Sequence, residues 1–69
     1  MYLIIAYRMG DLNGYHFPVG VYDTADEAAN AVREHHVDRG GKYQHRVFSM
    51  KPNQMYDGSE ADVIIDTCL

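Results

Sequence analysis

Apolar residues fall in four short blocks with one helical stripe between the second and third. From Tyr2 to Arg8 both alternating sets are apolar, with Leu3, Ile5 and Tyr7 in one and Tyr2, Ile4 and Ala6 in the other. A segment greasy on both sides predicts a central strand. Met9 to Gly14 follows, and its Gly10-Asp11 and Asn13-Gly14 pairs tolerate the positive φ angles that reverse a chain, so a hairpin is expected. The second strand spans Tyr15 to Tyr22. Strict alternation places Tyr15, Phe17, Val19 and Val21 on one side and His16, Pro18, Gly20 and Tyr22 on the other. Pro18 lacks an amide hydrogen and Gly20 is a weak strand former, which puts this strand at the sheet edge.

Thr24-Ala25-Asp26-Glu27 has the spacing of a capping box, in which the Thr24 hydroxyl and the Glu27 carboxylate each satisfy an amide of the first turn. A helix should begin at about Ala25. Ala25, Ala28, Ala29, Val32 and His36 recur at helical spacing, Asp26, Glu27, Asn30, Arg33 and Glu34 take the opposite side, and Gly40-Gly41 ends the helix. A stripe made mostly of alanine allows close approach to a sheet but adds little apolar area. The strands must supply most of the core.

Tyr43 to Met50 reads as a third strand with two mixed phases, Tyr43, His45 and Val47 against Phe48 and Met50, and the pattern leaves open which faces inward. Lys51 to Ala61 is a long polar connection for so small a chain, and long loops often carry function. Val63-Ile64-Ile65 gives a short fourth strand. The predicted fold is therefore α+β: one helix on a mainly antiparallel four-stranded sheet, with chain order β-β-α-β-β. A right-handed crossover through the helix sets strand three beside strand one, for a sheet order of 2-1-3-4. Residues 1–69 form one domain.

One helix covers one face of such a sheet. Tyr2, Ile4 and Ile64 are expected on the other, and each large aliphatic left in water forgoes about 1.5–3 kcal/mol. That imbalance points to a partner, either a second copy in a homodimer or a different protein. Tyrosine, present six times, suits such contacts because it joins large area to a polar tip. In the loop, Met55 and Tyr56 beside Asp57, Glu60 and Asp62 have the composition of an interface element, an apolar anchor ringed by charge. An ordinary polar turn whose Met55 and Tyr56 fold back on the core has the same composition.

Composition narrows the classes further. A chain of 69 residues has room for one core, and the single cysteine, Cys68, excludes an intrachain disulfide and favours a reducing compartment. The apolar start is too short to cross a bilayer and lacks a basic lead, so the chain reads as cytosolic with no membrane association. Ten acidic residues against six basic give a net charge of −4. That sign disfavours direct nucleic-acid binding and favours a partner with a basic surface.

No reaction chemistry stands out. Adjacent His35 and His36 diverge by about 100° on a helix and cannot chelate one ion as an i, i+4 pair can, so neither a metal nor a cofactor is implied. Cys68 sits where chains fray, a poor place for a catalytic thiol. The acid pairs Asp57 with Glu60 and Asp62 with Asp66 read as solvated loop charges rather than acid–base catalysts. Gly40-Gly41 follows a helix, whereas phosphate cradles precede one. The expectation is a non-enzymatic chain, with a small-ligand or metal-dependent enzyme as the less favoured alternative.

Met1 to Tyr7, the hairpin Gly10-Asp11-Leu12-Asn13-Gly14-Tyr15, and the junction from Val19-Gly20-Val21-Tyr22 through Asp23-Thr24-Ala25-Asp26-Glu27-Ala28 resemble small uncharacterised bacterial and bacteriophage β-β-α-β proteins. The resemblance covers the first half of the chain and marks a hairpin and a helix cap, so it implies a fold and no catalytic residues. Phage proteins of this look often inhibit a host enzyme, such as a transcription or CRISPR component. The resemblance thus implies a protein-binding inhibitor acting in the host cytoplasm, with an anti-CRISPR as one form.

Overall fold

The computed structural model describes residues 1–57. Strands β1 (Tyr2–Arg8), β2 (His16–Tyr22) and β3 (Tyr43–Ser49) form an antiparallel sheet in the order β2-β1-β3, and helix α1 (Ala25–Asp38) connects β2 to β3. Chain order in the described residues is β-β-α-β. The expected fourth strand at Val63–Ile65, together with Glu60, Asp62, Asp66 and Cys68, lies outside them.

Local chemistry fixes the joints. In the first hairpin the Asp11 carboxylate accepts from the Asn13 amide at 2.9 Å and from the Tyr15 amide at 3.3 Å, holding the turn before β2 begins. At the helix start the Thr24 hydroxyl accepts from the Glu27 amide at 3.1 Å. The reciprocal half of the expected box differs: the Glu27 carboxylate receives the Thr24 hydroxyl proton at 3.0 Å rather than a backbone amide. At the other end the Gly41 amide donates to the His36 carbonyl and the Gly40 amide to the Val37 carbonyl, with both glycines at positive φ. These two bonds make a Schellman cap, in which two orphan helix carbonyls are satisfied by a left-handed exit.

The largest departure from simple alternation is a bulge in β2. Ile4 pairs with Gly20 but Ile5 pairs with Pro18, so Val19 is an extra residue. One inserted residue inverts the facing of everything beyond it. Phe17 and Val19 stay on the helix side, whereas Val21 turns outward and is 55% exposed, and Tyr22 turns inward to pack on the core. The Tyr22 ring lies across Gly20, where a Cβ would meet it at 3.1 Å. Glycine is what permits that fold-over.

The helix rests on the face carrying Tyr2, Ile4 and Ala6, contrary to the expectation that this face is open. Ile4 is fully buried with Ala28, Val32 and Val47, and Tyr2 packs against the same cluster. The reason lies in the partner strands. Gly20 on β2 and Val47 on β3 flank Ile4; the Tyr22 ring fills the space over Gly20, and the helix packs through Ala28 and Val32 on Ile4 and Val47. On β3 the phase left open resolves with Tyr43, His45 and Val47 inward. Within the helix, Ala28 and Val32 are buried, while Ala25 is exposed and belongs to the cap rather than the stripe.

Candidate protein-contact surface

The reverse of the sheet is a three-by-three array set by strand register. Its rows are Val21–Leu3–Phe48, Pro18–Ile5–Arg46 and His16–Tyr7–Gln44. Among the described residues no helix packs on this face, and Leu3, Ile5, Tyr7 and Phe48 are all partly exposed. The array holds no carboxylate, and Arg46 is its one formally charged side chain. The Arg46 guanidinium lies 5.9 Å from the Tyr7 ring centre, and the His16 ring stacks on the opposite flank of Tyr7 at 5.5 Å. Cation and rings so arranged keep the polar groups at one corner and leave a continuous apolar strip through Val21, Leu3, Phe48 and Ile5.

The loop residues are placed separately. Met55 is 95% exposed. Tyr56 is partly buried, and its hydroxyl accepts from the Lys51 amide at 2.8 Å, which folds the connection back on itself. Asp57 is exposed. Of the expected contact residues, then, Met55 and Asp57 are on the surface, Tyr56 is a hinge pin of the turn, Tyr2 and Ile4 belong to the core, and Glu60 and Asp62 lie outside the described residues.

Between helix and sheet sits a histidine cluster that the sequence did not reveal. His45, 1% exposed, meets His35 through a hydrogen bond of 2.6 Å from Nε2 to Nδ1, in which one ring donates and the other accepts. The His36 ring centre is 6.4 Å from that of His45. Phe17 and Tyr43 enclose His35 edge-on, and Arg39 lies over Phe17. Burial pushes the pKa of His45 down to about 4, helped by the nearby His35 and His36. His35 is also lowered, chiefly by burial and secondarily by Arg39, with Asp38 opposing. Both rings are therefore neutral at pH 7, one serving as donor and the other as acceptor. Among the described residues no group of three or more His, Cys, Asp or Glu side chains is arranged to hold a metal ion. The inward phase of β3 was the available signal for His45: once Val47 is inside, the residue two positions earlier is inside too.

Compared with known protein families, curated proteins and solved structures, the chain matches none of them. Among the described residues no helix is long and apolar enough to cross a membrane.

Proposed function

We propose that this chain is a non-enzymatic protein-binding module that works by surface contact. The observation that carries the reading is the open sheet face, where Leu3, Ile5, Val21 and Phe48 form an apolar strip with no described helix upon it. A folded chain gains by covering such a strip, and the low charge of the array removes the desolvation penalty that protects most sheet faces from association. An inhibitor of a host protein, encoded by a phage, is the role we assign, on the strength of the resemblance in the first half. The exposed acids of α1, Asp26, Glu27, Glu34 and Asp38, supply the sign needed to meet a basic partner.

A fourth strand at Val63–Ile65 on the outer edge of β3, giving the order 2-1-3-4, belongs to the same proposal. From Arg39 to Tyr56 the chain carries Arg39, Lys42, Arg46 and Lys51 and no carboxylate, whereas Asp57, Glu60, Asp62 and Asp66 follow with no cation. Opposite charges favour their pairing.

Affinity capture from bacterial lysate, with mass-spectrometric identification, tests the binding role. Ile5→Lys should abolish retention of any specific partner, whereas Leu12→Lys, at a fully exposed hairpin tip, should not. Equal retention by both variants sinks the face assignment. Tyr56→Ala and Asp57→Ala report on the loop in the same assay. Self-association is the second reading, favoured by the near absence of charge on the array, and a sedimentation measurement at micromolar concentration shows it directly.

A further inference from the structure

At the tip of the first hairpin a carboxamide and a backbone nitrogen able to attack it are neighbours in the chain. Asp11 to Gly14 form a β-turn closed by the Gly14 amide, which donates to the Asp11 carbonyl at 3.1 Å, and Leu12, Asn13 and Gly14 are all exposed. The Asn13 backbone amide is held by the Asp11 carboxylate at 2.9 Å, but the Asn13 side chain makes no hydrogen bond among the described residues. Its Cγ is free to turn toward the Gly14 nitrogen. Gly14 has no side chain to crowd that approach, and a Cβ built on it would meet nothing within 4 Å. The other asparagines are placed differently. Asn30 lies within α1, where its Oδ1 accepts from Arg33 at 2.6 Å, and Asn53 precedes Gln54, whose side chain hinders attack by the next nitrogen.

We propose that Asn13 is a site of spontaneous covalent modification, in which the Gly14 backbone nitrogen displaces the Asn13 side-chain amide and the hairpin tip becomes aspartate and isoaspartate. The step needs only water and hydroxide. Hydroxide removes the Gly14 amide proton, the nitrogen attacks Asn13 Cγ, the new C–N bond closes a cyclic imide, and the Cγ–Nδ2 bond breaks to release ammonia. Water then adds to either imide carbonyl: one opening gives aspartate, the other a backbone routed through the former side chain. The hydrogen bond from Gly14 to Asp11 opposes the attack and must open first. It is a single exposed bond at a loop tip, where local opening is easy, so the fold should slow the step by about tenfold at most relative to the unfolded chain. The product alters the turn it forms in. Asp11 accepts from the Asn13 and Tyr15 amides, and a new carboxylate beside it meets like charge, while the isoaspartyl form also lengthens the turn by one backbone carbon. The reaction is independent of the protein-binding reading.

The test is incubation of the full chain in mildly alkaline buffer, with samples withdrawn over time for peptide mass mapping, fragmentation placing any change, and with the same chain unfolded in urea as the reference. The peptide holding Asn13 should gain the mass of an amide-to-acid exchange and separate into two chromatographic isomers of that mass, at a rate that rises with pH and stays within about tenfold of the rate in urea. Asn30 and Asn53 should remain unchanged over the same interval. Asn13→Ser, at an exposed position, should keep the circular dichroism spectrum of the wild type and show no exchange in that peptide. A folded chain still intact at Asn13 when the urea-unfolded chain has been converted overturns the proposal, as does conversion at Asn30 or Asn53 as fast as at Asn13. A single product isomer overturns the imide route.

Discussion

Acid should loosen the joint between helix and sheet, and His45 sets where. Its folded pKa is about 4 against an ordinary value of 6.5. Between those values the unfolded chain binds a proton that the folded chain refuses, so stability contributed by the neutral ring is complete above pH 6.5. It declines as pH falls from 6.5 to 4 and levels off below. At 1.36 kcal/mol per pH unit the displacement sets a ceiling of about 3 kcal/mol, and partial solvation around the cluster lowers the expected loss to about 1–3 kcal/mol. Among the described residues, the groups facing His45 include His35 and His36 from α1, with Asp38 and Arg39 acting on His35. A domain of this size shifts its melting temperature by about 4–8 °C per kcal/mol, so melts followed by circular dichroism at pH 7.5 and pH 4 should differ by about 5–20 °C. Carboxylates elsewhere add their own slope, which His45→Gln isolates because glutamine keeps a hydrogen bond to His35 and does not titrate. The variant should lose markedly less stability over the same interval. Parallel loss in wild type and variant refutes the reasoning, as does an NMR titration of the His45 ring with a midpoint near 6.5.

The two faces of β1 should respond differently to truncation. Ile4→Ala empties a fully buried site and is expected to cost about 2–5 kcal/mol in urea unfolding, whereas Ile5→Ala, on the open face, should cost about 1 kcal/mol or less. At the helix start, Thr24→Ala removes the acceptor for the Glu27 amide and should cost about 1 kcal/mol, with Thr24→Ser close to wild type in the same melts. Gly40→Ala places a Cβ at φ 67°, and should lower stability by about 1–2 kcal/mol although nothing lies within 4 Å of the added carbon. That loss measures backbone strain alone.

Much of the frame was legible because it is local. Thr24 with Glu27 marks a helix start wherever it occurs, and Gly40-Gly41 marks its end, since both follow from the orphan amides and carbonyls of any helix. The edge position of β2 was readable from Pro18, and the central position of β1 from a strand apolar on both sides. The contact surface was not, because facing is relative. Tyr2, Ile4 and Ala6 are no more hydrophobic than Leu3, Ile5 and Tyr7, and which set lies under the helix depends on the residues that β2 and β3 place beside it, Tyr22 over Gly20 on one side and Val47 on the other. Val21 and Tyr22 exchanged faces for a similar reason. A bulge at Val19 is a property of the pairing between two strands and leaves no reliable mark in either one alone.

Helix limits, turn chemistry and the poverty of the helical stripe were thus dictated by the chain itself, through interactions a few residues long, and the order β2-β1-β3 followed from the handedness of the crossover. The side of the sheet that the helix covers and the meeting of His35 with His45 were decided only in three dimensions. Each depends on residues far apart in sequence arriving at the same place, and short-range periodicity carries no information about that arrival.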